Sequence, residues 1–134
     1  MKIEDSELDL NPDFECSYQG RPFSGVSVEH YPGGEIRSEL PYVDGLQHGL
    51  AQDWYPSGQL AGASQYRNNQ LHGSTHEWYE NGQLKSELSY EFGILVSKRE
   101  WSEGGEFLST FKLEETSPYR RFLEQARAKA TSQD

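Results

Sequence analysis

Histidines, a cysteine and a set of recurring carboxylates are the residues here whose chemistry could matter. His72 and His76 have the i, i+4 spacing that lets two imidazoles share a metal on a helix. The residues between them, Gly73-Ser74-Thr75, read as turn and strand, which parts the rings, and no His-Glu-x-x-His sequence occurs. His48 and His72 each precede a glycine at the same place in a repeat, so turn packing is the expected role and no metal site is expected. Cys16 is the only cysteine, which excludes an internal disulfide and a Cys-based zinc site. Its acidic surroundings discourage a thiolate. Glu29, Asp53 and Glu77 each stand just before an aromatic pair. Acid–base catalysis by two carboxylates needs one unique pair, whereas three equivalent positions describe a ladder. The glycine-rich stretches Pro32-Gly33-Gly34 and Glu103-Gly104-Gly105 are loops between strands, without the strand–glycine–helix order of a phosphate cradle. No catalytic residue, cofactor or metal ligand is expected, and the chain does not read as an enzyme.

Binding chemistry remains. Tyr and Trp bury large area with few torsions, and a neighbouring acid meets Arg or Lys. The candidate partner-binding residues are Glu29 and Tyr31, Asp53 with Trp54 and Tyr55, Glu77 with Trp78 and Tyr79, and Trp101. The alternative is a solvated sheet whose rings only pair across strands.

These residues are positioned by an internal repeat. Tyr18, Tyr42, Tyr66 and Tyr90 are spaced evenly, as are Gly25, Gly49 and Gly73, Tyr31, Tyr55 and Tyr79, and Gly34, Gly58 and Gly82. A fourth unit aligns through Trp101, Gly105 and Phe107 once one position is deleted. Within a unit, two-residue alternation surrounds loops such as Pro56-Ser57-Gly58 and Glu80-Asn81-Gly82, the signature of a hairpin whose three-residue loop closes with glycine. The expected fold is mainly β: an antiparallel meander of about four repeated hairpins, roughly eight strands, ending in one C-terminal α-helix. Leu84, Ser86, Leu88 and Tyr90 share one side of a strand, and Lys85, Glu87 and Ser89 the other. Trp78 and Tyr79, being adjacent, project oppositely; which of them faces inward is open at this point.

The tail differs. Ser117 suits an N-cap and Pro118 the first helical position. Tyr119, Phe122, Leu123 and Ala126 form a stripe at helical spacing, so the helix is expected to fold over the last hairpin and cover its edge. The expected organisation is an acidic segment over 1–17, four 24-residue hairpin repeats over 18–113 and a helix within 114–134. Residues 1–13 are expected to be loosely bound, which leaves an edge at Tyr18–Val28 where a second copy could pair, a route to a homo-oligomer.

Leu, Ile, Val and Phe make up about a fifth of the 134 residues, a lean supply for a core. Eight Tyr and three Trp replace much of that filling and set the chain apart from disordered sequences. The net charge of −10 disfavours nucleic acid and anionic lipid and favours a basic protein partner. With no long apolar run and an acidic start, the expected location is cytoplasmic.

The unit running from Tyr66 through Leu71-His72-Gly73 to Glu77-Trp78-Tyr79-Glu80-Asn81-Gly82-Gln83-Leu84 resembles the MORN-repeat variant of bacterial proteins, over residues 18 to about 112. His30 in place of Trp and the shortened fourth unit depart from the pattern. The resemblance implies an open array of hairpins acting as an interaction platform. Small bacterial members are often YwqK-type antitoxins or immunity proteins. The function this implies is a cytoplasmic immunity protein that binds a cognate toxin effector, one with a basic catalytic domain, and occludes its active site. Two alternatives stand beside it. One is a carbohydrate- or choline-binding repeat module, which would need converging aromatics and export. The other is a general interaction scaffold.

Overall fold

The computed structural model describes residues 1–132, so residues 133 and 134 of the tail lie outside the described residues. In chain order the strands are β1 (Lys2–Glu4), β2 (Asp9–Leu10), β3 (Cys16–Tyr18), β4 (Arg21–Pro22), β5 (Gly25–His30), β6 (Ile36–Val43) and β7 (Leu46–Gln47). They continue with β8 (Gly49–Trp54), β9 (Leu60–Arg67), β10 (Gln70–Trp78), β11 (Leu84–Glu91), β12 (Ile94–Trp101) and β13 (Phe107–Lys112). One helix, α1 (Pro118–Ser132), follows.

The main sheet is open and runs β1-β5-β6-β8-β9-β10-β11-β12-β13, with the short β7 on β6. Four hairpins, β5–β6, β8–β9, β10–β11 and β12–β13, make it the expected mainly β meander. Each hairpin closes in the same way. Tyr79 N–H donates to Gln83 O, Gly82 N–H donates to Tyr79 O, and Gly82 takes a φ of +89°. This is a three-residue loop whose last position lies in the left-handed region, where glycine has no Cβ to clash. Beside each loop the register slips by one, between Glu29 and His30, Asp53 and Trp54, Glu77 and Trp78, and Glu100 and Trp101. The return connections are two-residue turns with both φ positive, at Asp44-Gly45, Asn68-Asn69 and Phe92-Gly93. The strained Phe92 is held by its N–H, which donates to His72 Nδ1 at 3.0 Å, and by an edge-on ring contact.

The start of the chain departs from expectation. Residues 1–13 are not loosely held. β1 pairs in parallel with β5, Val26 N–H donates to Met1 O, Lys2 Nζ meets Glu39 at 3.2 Å, and Glu4 meets His30 Nδ1 at 2.8 Å. Of the edge expected at Tyr18–Val28, the stretch Val26–Val28 is therefore covered by the chain's own N-terminus. The physical reason is the edge strand's unpaired backbone groups, which a short extended segment with correctly signed charges satisfies. Tyr18 itself lies outside the meander, in a small sheet β2-β3-β4, and packs edge-on against the buried Phe23.

The helix departs too. Ser117 caps it, Oγ accepting from Tyr119 N–H at 3.2 Å. It does not cover the β13 edge, where all six residues are exposed, Phe107 at 58% and Leu108 at 57%. It lies over the turn end of the sheet instead. Arg127 grips Glu91 through two bonds of 2.7 and 2.8 Å, and Ala126 and Ala130 border a hollow with His72 and Phe92. Leu123 is fully buried, whereas Tyr119 and Phe122 face solvent at 63% and 68%. Small alanines let the helix settle closely on the turns, which two large rings would prevent. Among the described residues no helix is long and apolar enough to cross a membrane.

Candidate carboxylate row and its surroundings

Antiparallel pairing puts directly opposed residues on the same side of a sheet. Followed from strand to strand, the register yields one continuous row: Glu29–Ser38–Asp53–Gly62–Glu77–Ser86–Glu100–Ser109. Carboxylates alternate with small residues. Since neighbouring strands lie ~4.8 Å apart, successive carboxylates stand ~9.6 Å apart and the row is ~29 Å long. At Gly62 a Cβ would come within 2.5 Å of Asp53 Oδ1, so a side chain there displaces that carboxylate.

The carboxylates are not equivalent. Glu100 is paired with Lys98 Nζ, and it alone of the four has an ion pair among the described residues. Burial raises the Asp53 carboxyl above its ordinary range, the neighbouring charge of Glu77 pushes it further, and Arg37 partly offsets both. Ser86, between Glu77 and Glu100, is 4% exposed, and its Oγ has no hydrogen-bond partner among the described residues. An open cleft of about 340 Å³ is bordered by Asp53, Tyr55, Thr75, Glu77 and Lys85.

Tyrosines tie the hairpins together. The Tyr31 hydroxyl donates to Trp54 O, Tyr55 to Trp78 O at 2.7 Å, and Tyr79 to Trp101 O at 2.9 Å. Arg37 and Lys85 lie over the Tyr31 and Tyr79 rings, 5.8 and 5.6 Å from the centroids. Trp78 borders the cleft, but its ring stacks on His76, which pairs across the sheet with Glu87. Trp101 packs edge-on against Phe107. The structure therefore brings Glu29, Asp53 and Glu77 into one line, employs Tyr31, Tyr55 and Tyr79 as ties beside it, and stacks the Trp78 ring on His76 at the border of the cleft.

Two features of the row went unnoticed in the sequence. Glu100 belongs to it, visible once the one-residue deletion that aligns Trp101 is applied to the residue before it. The separators Ser38, Gly62, Ser86 and Ser109 also recur at one repeat position, a signal of size rather than of chemistry. His72 acts in turn packing, and Cys16 sits half-buried.

Comparison with known proteins follows the repeat. Residues 47–68 and 71–92, spanning the second and third hairpins, match the MORN repeat variant. The chain is 52% identical over 125 residues to the immunity protein YwqK of Bacillus subtilis (strain 168), covering 93% of this chain and 79% of that one. Among solved structures, a complex of accessory secretory proteins 1, 2 and 3 in Streptococcus pneumoniae overlaps 84% of the chain at 14% identity and a TM-score of 0.39. A GtfA/B complex bound to UDP and GlcNAc overlaps 93% at 14% identity and a TM-score of 0.36. The chain spans only 19% and 29% of those two structures.

Proposed function

This chain belongs to the family of the immunity protein YwqK and carries MORN repeat variants, and from that premise we propose that it binds a cognate toxin and neutralises it by covering the active site. The observation that carries the reading is the likeness to an immunity protein along nearly the whole chain, joined to a row of carboxylates with few internal counter-charges. Like charges held ~9.6 Å apart on a partly desolvated face repel one another, and a cationic surface relieves that repulsion. A toxin domain whose active-site groove is basic, because its own substrate is anionic, presents such a surface. Occupation of that groove by the row and its flanking tyrosines excludes the substrate by volume and by charge. The role is that of a binding protein working in the cytoplasm, where such a toxin acts; no step of it requires catalysis by this chain.

Glu29, Asp53 and Glu77 make the contact in this reading, with Tyr31, Tyr55 and Tyr79 fixing the spacing and Trp54, Trp78 and Trp101 bounding the surface. Co-expression of this chain with the product of the adjacent reading frame, followed by affinity co-purification and growth measurement, tests the proposal. A complex and restored growth are expected. Absence of both rejects it.

A further inference from the structure

The acidic start of the chain does more than cover an edge. Residues 5–16 fold against the first two return turns of the sheet, where Cys16 N–H donates to Gly45 O at 2.8 Å and Asn69 Nδ2 donates to Phe14 O at 2.9 Å. An open cavity of about 650 Å³ lies between them. That volume is within the range of roughly 300–1,000 Å³ typical of small-ligand sites. The cavity stands apart from the carboxylate row. Tyr42, on its border, shares a side of β6 with Ser38 of the row but lies four residues, ~13 Å, further along the strand.

The walls are fixed from within. Asn69 uses its whole side chain and its own N–H for this. Besides the bond to Phe14, its Oδ1 accepts from Gln47 N–H at 2.7 Å, and its N–H donates to Gln47 O at 2.9 Å. Asn11 Oδ1 accepts from the N–H groups of Asp13 and Glu15 at 3.0 and 2.9 Å. A site held open before its ligand arrives loses less on binding than one that must be ordered first.

The lining has two chemistries. Leu8, Leu10 and Phe14 form an apolar part, and Leu10 and Phe14 remain exposed. Asp5, Asp9 and Asp13 form a charged part; none of them has an ion pair among the described residues, and no Lys, Arg or His borders the cavity. Tyr42 adds no counter-charge, since burial above all holds its hydroxyl neutral, pushed up to about 12. Water satisfies the carboxylates but leaves the leucine and phenylalanine wet. An occupant with a methylene stem and a cationic tip satisfies both parts at once. A free small cation would fill the charged part alone, whereas a protein surface also covers the exposed apolar mouth.

We propose that this cavity receives an arginine or lysine side chain of the protein partner, its methylenes against Leu8, Leu10 and Phe14 and its cation among Asp5, Asp9 and Asp13. This adds a second contact to the immunity reading and rests on that reading for what the partner is, but not for the chemistry of the cavity.

The test titrates the isotopically labelled whole chain by NMR with three probes. These are N-acetyl-arginine amide, its uncharged isostere N-acetyl-citrulline amide, and methylguanidinium, which keeps the charge without the stem. The arginine probe is expected to shift the amides of Leu8–Cys16, Gln47 and Asn69, and to slow alkylation of Cys16, the single cysteine, which borders the cavity. It should bind ~fivefold more tightly than either of the others, about what one partly exposed ion pair supplies. The Asp9→Asn, Asp13→Asn chain is expected to lose the preference for arginine over citrulline and to hold the toxin ~fivefold more weakly. Glu87→Gln, on the outer face of the sheet, should keep both, and dispersed spectra verify that each variant folds. No binding, equal binding of the arginine and citrulline probes, shifts confined to the strands of the carboxylate row, or a preference that survives the double change overturns the inference. Unchanged toxin affinity in the double variant also overturns it and leaves the immunity reading intact. Selective arginine binding by a chain that captures no toxin rejects the immunity reading and upholds the chemistry of the cavity.

Discussion

Two rows of side chains one residue apart on opposite faces of the same strands have different electrostatic constructions. One is Glu29–Ser38–Asp53–Gly62–Glu77–Ser86–Glu100–Ser109, in which every charge is negative. The other is Glu4–Val28–Glu39–Gln52–Ala63–His76–Glu87–Arg99–Thr110, in which both signs occur and His76 lies 3.7 Å from Glu87. Backbone, twist and strand order are common to both. The mixed row holds Arg99 and His76 among its three carboxylates, and two of those acids are met by cations from neighbouring positions, Glu39 by Lys2 and Glu4 by His30. The acidic row keeps Asp53 charged at a cost to the folded state. The acidic row shares its face with the buried Ala51, Ser86 and Leu88, so that cost is carried on the side where the sheet packs.

Charge reversal is the strongest way to break this contrast. Glu77→Lys should weaken toxin association by ~100-fold, since like charges brought together at an interface cost several kcal/mol. Glu87→Lys, one strand away on the mixed face, should leave it nearly unchanged. Isothermal titration of the two variants against the co-purified toxin separates them, and equal losses would dissolve the distinction between faces.

Filling the separators comes next. Gly62→Val places a branched side chain where a Cβ already meets Asp53 Oδ1 at 2.5 Å, and should destabilise the fold by about 1–3 kcal/mol. Ala63→Val, its neighbour on the other face, should change stability by no more than ~0.5 kcal/mol. Urea denaturation of both gives the difference.

The smallest effect is a matter of sign. Because burial and Glu77 raise the Asp53 carboxyl above its ordinary value, the folded chain binds a proton more readily there than the unfolded one. Stability from this group therefore falls as pH rises through the carboxylate range, and at neutral pH its charge is a net cost. Asp53→Asn should raise the melting temperature at pH 7, with the gain closing as the pH drops below that range. Glu91 has the opposite sign: its bond to Arg127 lowers its carboxyl, so its contribution is present at neutral pH and is lost on acidification. Melting curves for Asp53→Asn and Glu91→Gln across pH should diverge in opposite directions from the parent chain.

Much of the site was legible beforehand because a repeat turns sequence position into spatial position. Once Tyr31, Tyr55 and Tyr79 share an offset, their hairpins must stack in register, and Glu29, Asp53 and Glu77 must fall in line. The hydroxyl ties from each tyrosine to the next hairpin were not legible, because the carbonyl they reach lies 22 or 23 residues onward and has no side-chain signature. Nor was the divergence of Trp78 from Glu77, which the strand alternation required but whose direction only packing on His76 decided.

Local periodicity by itself determined the hairpins, their glycine-closed loops, the capped helix and the acidic ladder, because each depends on residues close in the chain or related by the repeat. The tertiary structure alone decided what the two ends of the chain do. Lys2–Glu4 covers the first edge, and the helix settles on the turns and leaves β13 bare. Neither end carries the repeat, so each is placed by the contacts available to it, an edge with open hydrogen-bonding groups in one case and a carboxylate beside a shallow hollow in the other.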